Sequence, residues 1–429
     1  MITPEIAPVI TSFRHRIYAR NTPTSRLLGY SLIVSLFCLF DALMAYCAPV
    51  YLDKTLHNSF YVGLIISCSS AAGMLFDFVA SKTNANSSFS RYFWLTILIS
   101  LVFPIILLFF SENIFLIIIA MIIWGVYYEL LYFSHFHFIE SLRSEKTHAQ
   151  SWGAVCTFKA LSYTIGPLLA SLMIGYSLNL PLYAALVVLA ITAFFFFLFL
   201  RIFKIRKSSS YPAEKNKHIV PINRLFIWKI LINKLWLLWM FMFCLSIIDS
   251  AFWTIGALFS EQLKLSSPIG AFFLTLYMLP TLFIPLVSGK IDKPLGKKKV
   301  AFISGAISGA LLIAIGLIDN AVLILLLVFL SSLFGALAVP EILATFEDYI
   351  TRLGYLGNSI ISIERSSENA GYIVGPIICG FLAIQIAYQR VFSVVGGVSL
   401  FVSIVCLIFI PRKIRFPQQQ LQNYSQILD

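Results

Sequence analysis

Apolar residues in this chain fall into long unbroken runs separated by short polar intervals. Twelve such runs can be marked: Leu27–Tyr51, Phe60–Val79, Tyr92–Phe110, Ile114–Phe138, Trp152–Tyr176 and Pro181–Ile202, then Leu235–Phe259, Ile269–Val287, Val300–Ile318, Ala321–Thr345, Ser359–Ile386 and Val391–Ile410. Each is about the length a helix needs to cross a bilayer. Barrel strands would instead show short alternating segments, so the pattern predicts an all-α polytopic membrane protein in two six-helix bundles.

The longest polar interval, Arg201–Lys234, lies near the middle. It carries nine basic residues against one acid, Glu214. The expected organisation is a polar segment 1–26, a six-helix half 27–202, a basic central loop 203–234, a second six-helix half 235–410 and a tail 411–429. Basic loops stay on the cytoplasmic side. With the amino terminus inside, 26 Lys and Arg fall in cytoplasmic segments and three (Lys54, Lys264, Arg390) in outer loops. That bias fixes an even number of spans with both termini cytoplasmic, in a cell membrane.

Composition agrees. The chain is 59% hydrophobic and 12% charged, with a mean hydropathy of +0.89, far from soluble averages. The net charge of +12 tracks topology and does not form a nucleic-acid footprint. All seven cysteines (Cys38, Cys47, Cys68, Cys156, Cys244, Cys379, Cys406) lie in apolar runs without CxxC spacing, so they read as small hydrophobes and indicate neither disulfide nor metal site. No cleavable signal precedes the first span.

The halves share internal likeness. Lys159 stands seven residues before Gly166-Pro167, and Glu368 seven before Gly375-Pro376. Spans four and ten carry Glu129 and Glu341, and spans one and seven carry Asp41 and Asp249. Matching ordinal positions point to a duplicated transporter architecture. Across the end of span two and after span eight come Gly73…Asp77…Lys82 and Gly289…Asp292…Gly296. On these features the chain resembles the major facilitator superfamily over its whole length. Gly73–Lys82 is similar to the family's Gly-x-x-x-Asp-x-x-Gly-x-Arg/Lys loop motif, with Ala80 replacing the second Gly; the second copy has shifted spacing around Asp292. The resemblance implies alternating access around a central cavity lined by spans one, four, seven and ten. It also implies a gating role for the loop acids. The Gly-Pro segment of span five is similar to an antiporter motif, with Ser162, Ala170 and Ser171 at glycine positions.

Intramembrane charges are the candidate chemistry. Each costs about 2.5–3.5 kcal/mol at a helix centre on insertion scales, so they mark function by default. Asp41, Glu129, Asp249, Glu341 and Glu368 outnumber Lys159 and Arg365. Five acids cannot all pair with two bases, and desolvation with mutual repulsion favours a proton on at least one. Asp41 and Asp249 are the first proton candidates. Lys159–Glu129 and Arg365–Glu341 pairs that only hold packing are the bland alternative. Trp253, one turn after Asp249, is a candidate stacking surface, and Tyr127 and Tyr128 are candidate hydroxyl donors. Trp228, Trp236 and Trp239 suit an interfacial belt. His135 and His137 do not share a helix face, so no metal is expected. Gly166-Pro167 and Gly375-Pro376 are candidate bending points.

No phosphate-binding loop, HExxH or nucleophile elbow is present, so enzyme activity is not expected. The expectation is a monomeric secondary transporter without cofactor, driven by a proton gradient and moving a small organic solute, cationic or neutral. Antiport is set against symport and against a non-transporting sensor or assembly partner.

Overall fold

A computed structural model describes residues 22–80, 88–110, 112–142, 148–203, 224–284, 296–353 and 357–411. Among these, twelve helical elements follow in order. The first six are α1 Pro23–Leu56, α2 Ser59–Ala80, α3 Phe89–Phe109 with a break at Leu101, α4 Ile114–Glu140, α5 His148–Ile174 and α6 Leu180–Ile202. In the second half, α7 runs Arg224–Ala251 and continues through a π turn, Phe252–Gly256, into Ala257–Ser266. α8 is Pro268–Leu282, followed by α9 Lys297–Ile315, α10 Ala321–Leu353, α11 Gly357–Gln385 and α12 Tyr388–Phe409.

Eleven of these are long and apolar enough to span a membrane; α8 is apolar but shorter among the described residues. Residues 285–287, the end of the expected eighth span, lie outside them. So do most of the central loop, the first 21 residues and the tail beyond residue 411. Helix α7 starts at Arg224, inside the interval expected to be loop, because the apolar residues around Trp228 carry helical structure back into the basic stretch. α8 is uneven, with 3-10 turns at Pro268–Phe272 and Leu279–Leu282 around a short α segment. Pro280 has no N–H to continue an α ladder.

Several helix starts are legible as Asx caps. Asn58, Asn113 and Asn320 each accept from backbone N–H groups two residues on, at 3.0–3.1 Å. Each satisfies orphan donors at the start of α2, α4 or α10. These three starts lie on the side assigned to the outside by the basic-residue count.

Within the first half, α1 packs on α5 and α6, and α4 packs on α2 and α3; within the second, α9 packs on α10 and α12, and α7 on α11. The halves meet along α2–α11, α5–α8 and α1–α7. The α2–α11 seam is very close: a Cβ on Gly63 would lie 2.0 Å from the Pro376 carbonyl oxygen. Small residues permit this backbone approach, which in lipid replaces the hydrophobic drive of aqueous cores.

Candidate functional site

Asp41 lies midway along α1, 2% exposed. One carboxyl oxygen accepts from Trp124 Nε1 at 3.0 Å and Tyr127 OH at 2.7 Å, both on α4; the other accepts from Tyr163 OH on α5. Three donors converge on one acid, which offsets much of the cost of burying it. The side chain therefore points into its own half, away from lipid and sealed from bulk water. The local fold sets this up. A Cβ on Gly166 would fall 2.4 Å from Ala42 Cβ, so α1 and α5 touch one residue beyond Asp41.

The second half repeats the device. Asp249 on α7 accepts from Tyr277 OH of α8 at 2.5 Å and from Tyr372 OH of α11. Gly375 is pressed against the residue after the acid, Ser250, at 2.0 Å from an added Cβ to its Oγ. Tyr163 and Tyr372 each stand three residues before the Gly-Pro pair. The two repeats thus encode the acid's hydrogen-bond donor as well as the close contact, a signal present in the sequence but not drawn from it. Both α5 and α11 run unbroken through Pro167 and Pro376.

The two acids differ in access. Asp249 lines a cavity of about 290 Å³ enclosed by α7, α8, α9, α10 and α11; Glu368 also lines it. Every lining residue belongs to the second half, whereas the sequence pointed to a hollow shared between the halves. Asp41, Glu129, Lys159, Glu341 and Trp253 are not among its walls. Trp253 lies in the π turn and meets Tyr163 of the first half edge-on at 5.5 Å, which makes it a contact between halves.

The Lys159–Glu129 pair set out as the alternative does not form. Lys159 Nζ donates to Tyr128 OH at 2.8 Å and sits 4.7 Å from that ring's centroid. Successive residues on a helix face different directions. Tyr128 turns to α5, and Glu129 turns to Asp77 of α2 and Arg365 of α11. Arg365 lies 4.5 Å over the Tyr132 ring and faces Glu129, Glu364 and Glu368. Glu341 is buried on α10, 3% exposed.

Asp77 sits in the last turn of α2, helical as the second span implied although the motif resemblance made it a loop acid, and faces Glu129 and, across the halves, Arg365. The steric demand between α2 and α4 falls on Gly125, whose Cβ would lie 1.9 Å from Ser69 O; a Cβ on Gly73 would meet its neighbours at an ordinary 3.4 Å. Lys82, Gly289 and Asp292 lie outside the described residues. Gly296 caps α9 at φ 84°, which favours glycine.

Other expectations are refined. Trp239 donates to Ser366 Oγ at 3.0 Å and stacks on Phe243, so it ties α7 to α11. Cys156 is exposed and Cys68 partly so, while the other five cysteines are buried. Tyr30 OH meets His135 Nδ1 at 3.0 Å, whereas His137 stacks on Tyr92; the two histidines diverge. No group of three or more metal-ligating side chains comes together among the described residues.

A further cluster escaped the sequence reading. Glu261 near the end of α7 accepts from Tyr46 OH of α1 and Ser171 Oγ of α5, each at 2.7 Å, and pairs with Lys264 at 2.8 Å. Lys264 Nζ also donates to the Ser171 carbonyl at 2.6 Å. These bonds bind the two halves together at the end assigned to the outside.

Two pseudo-symmetric bundles of apolar helices with paired acids are the architecture of a membrane transporter. The chain belongs to the Major Facilitator Superfamily, whose family model matches residues 30–291 and 238–423. The solved nucleoside transporter NupG has the same fold, with TM-score 0.70 and 15% identity over 90% of this chain and 100% of that one. A peptide transporter POT in complex with sulfate matches with TM-score 0.70 and 14% identity, over 90% of this chain and 94% of that one. No curated protein matches the sequence.

Proposed function

We infer that this transporter moves a small organic solute by proton-coupled alternating access, in the export direction. The observation that carries the reading is the unequal setting of two equivalent acids. Asp41 is closed behind three donors, and Asp249 opens on a cavity. In this reading Asp41 holds the coupling proton and the C-terminal cavity holds the solute. Glu129, Asp77 and Arg365 link the halves on the cytoplasmic side, and the Glu261 cluster closes the outer side. The protein works as a monomer in the cell membrane with both termini cytoplasmic and needs no cofactor.

The test uses the purified chain in proteoliposomes containing a pH-sensitive dye. Members of a solute panel are added, and proton movement is followed. Solute-dependent proton flux opposite to solute flux, lost in Asp41→Asn, is expected. Flux in the same direction makes the protein a symporter. Solute flux that ignores the pH gradient removes proton coupling.

A further inference from the structure

The cavity of the second half is rich in acceptors and poor in donors. Its two charged walls are both acids, Asp249 and Glu368. Asp249 is already served by two phenol hydroxyls. Glu368 is not: its carboxyl is deep in the bundle, opens on the cavity, and accepts no hydrogen bond among the described residues. The hydroxyls around it have spent their protons on backbone carbonyls. Ser246 donates to Met242 O at 3.0 Å, Thr281 to Met278 O at 2.6 Å and Ser332 to Tyr277 O. Their oxygens remain as acceptors.

The two bases nearest Glu368, Lys159 and Arg365, do not line the cavity. Lys159 is held by Tyr128, and Arg365 is held over Tyr132 and divided among Glu368, Glu364 and Glu129, with no ion pair to Glu368 among the described residues. A half-buried carboxyl that faces the cavity, accepts no hydrogen bond and only shares a distant cation is open to a cation or a proton from whatever enters. At about 290 Å³ the space is at the small end of ligand pockets.

We propose that this cavity binds a compact organic cation, with the cationic head group at Glu368 and Asp249. The assignment rests on the transport reading for the cation being cargo, but its binding can be measured without transport.

The probes are choline, its neutral isostere 3,3-dimethylbutanol and its anionic isostere 3,3-dimethylbutyrate, offered to the purified full-length chain. Choline at millimolar concentration raises the melting temperature by about 2 °C or more, and the isosteres do not. Glu368→Gln weakens choline binding at least tenfold. Asp348→Asn, which removes a surface carboxyl paired with Lys297, leaves it unchanged. Stabilisation by either isostere equal to that by choline overturns the assignment, as does unaltered choline binding by Glu368→Gln. If that variant does not fold, dicyclohexylcarbodiimide labelling of the unmodified chain decides. Choline slows modification of Glu368, read by peptide mass spectrometry, and equal rates with and without choline overturn the proposal. Choline binding without gradient-driven choline flux supports the site while removing the cation as cargo; anion flux without choline binding overturns the site while leaving the transport reading standing.

Discussion

Gly166 on α5 rests against Ala42 on α1, with no room for a methyl group between them. That contact sets the distance between two helices that each supply half of a hydrogen bond, Asp41 to Tyr163. Its counterpart, Gly375 against Ser250, does the same for Asp249 and Tyr372. Packing and chemistry are therefore coupled at one level of each half.

Gly166→Ala forces the helices apart. Overpacking of this kind costs about 1–3 kcal/mol. The expected result is a lower melting temperature with loss of transport, and Ala42→Gly in the same chain restores both in part. Thermal melting and flux in proteoliposomes check it.

Tyr163→Phe and Tyr372→Phe each remove one donor from a buried acid. A hydrogen bond to a charged group contributes about 1.5–3 kcal/mol. If the acids divide the work as proposed, the first substitution shifts the pH dependence of flux and the second raises the solute KM. Identical effects of both on both parameters would contradict the division.

Glu261→Ala opens the outer closure. It removes the acceptor of Tyr46, Ser171 and Lys264 together. A loss of about 1.4 kcal/mol shifts a two-state equilibrium tenfold. Cys47, fully buried beside Tyr46, then reacts about tenfold faster with a membrane-impermeant maleimide added from outside. An unchanged rate places the closure elsewhere.

Arg365→Gln leaves Glu129, Glu364 and Glu368 without their shared cation. No direct ion pair joins Arg365 to them among the described residues, so the cost is the repulsion among the three acids that Arg365 otherwise offsets. Melting should fall sharply, and Glu364→Gln in the same background should recover part of it.

The spans were legible because a helix in lipid needs an uninterrupted apolar run, and little else produces one. Asp41 and Asp249 were legible for the complementary reason: a carboxyl in such a run is costly enough to need a purpose. Their partners were not. Lys159 and Glu129 are on successive spans, yet a one-residue step around α4 gives Lys159 to Tyr128 and Glu129 to α2 and α11. Through-space neighbours across helices do not follow from order along the chain. Glu261 and Lys264 were hidden differently. They stand where an apolar run ends, so they read as loop, but α7 continues to Ser266 and turns them toward the other half. The start of α7 at Arg224 has the same origin, since helix and apolar run need not share an end.

All the walls of the hollow come from helices of one lobe. A guest there need not be handed between lobes during turnover. On the proposed reading it travels as a passenger of the C-terminal body, and replacing walls on that body alone would tune selectivity. The N-terminal body is then free to keep its own acid dry.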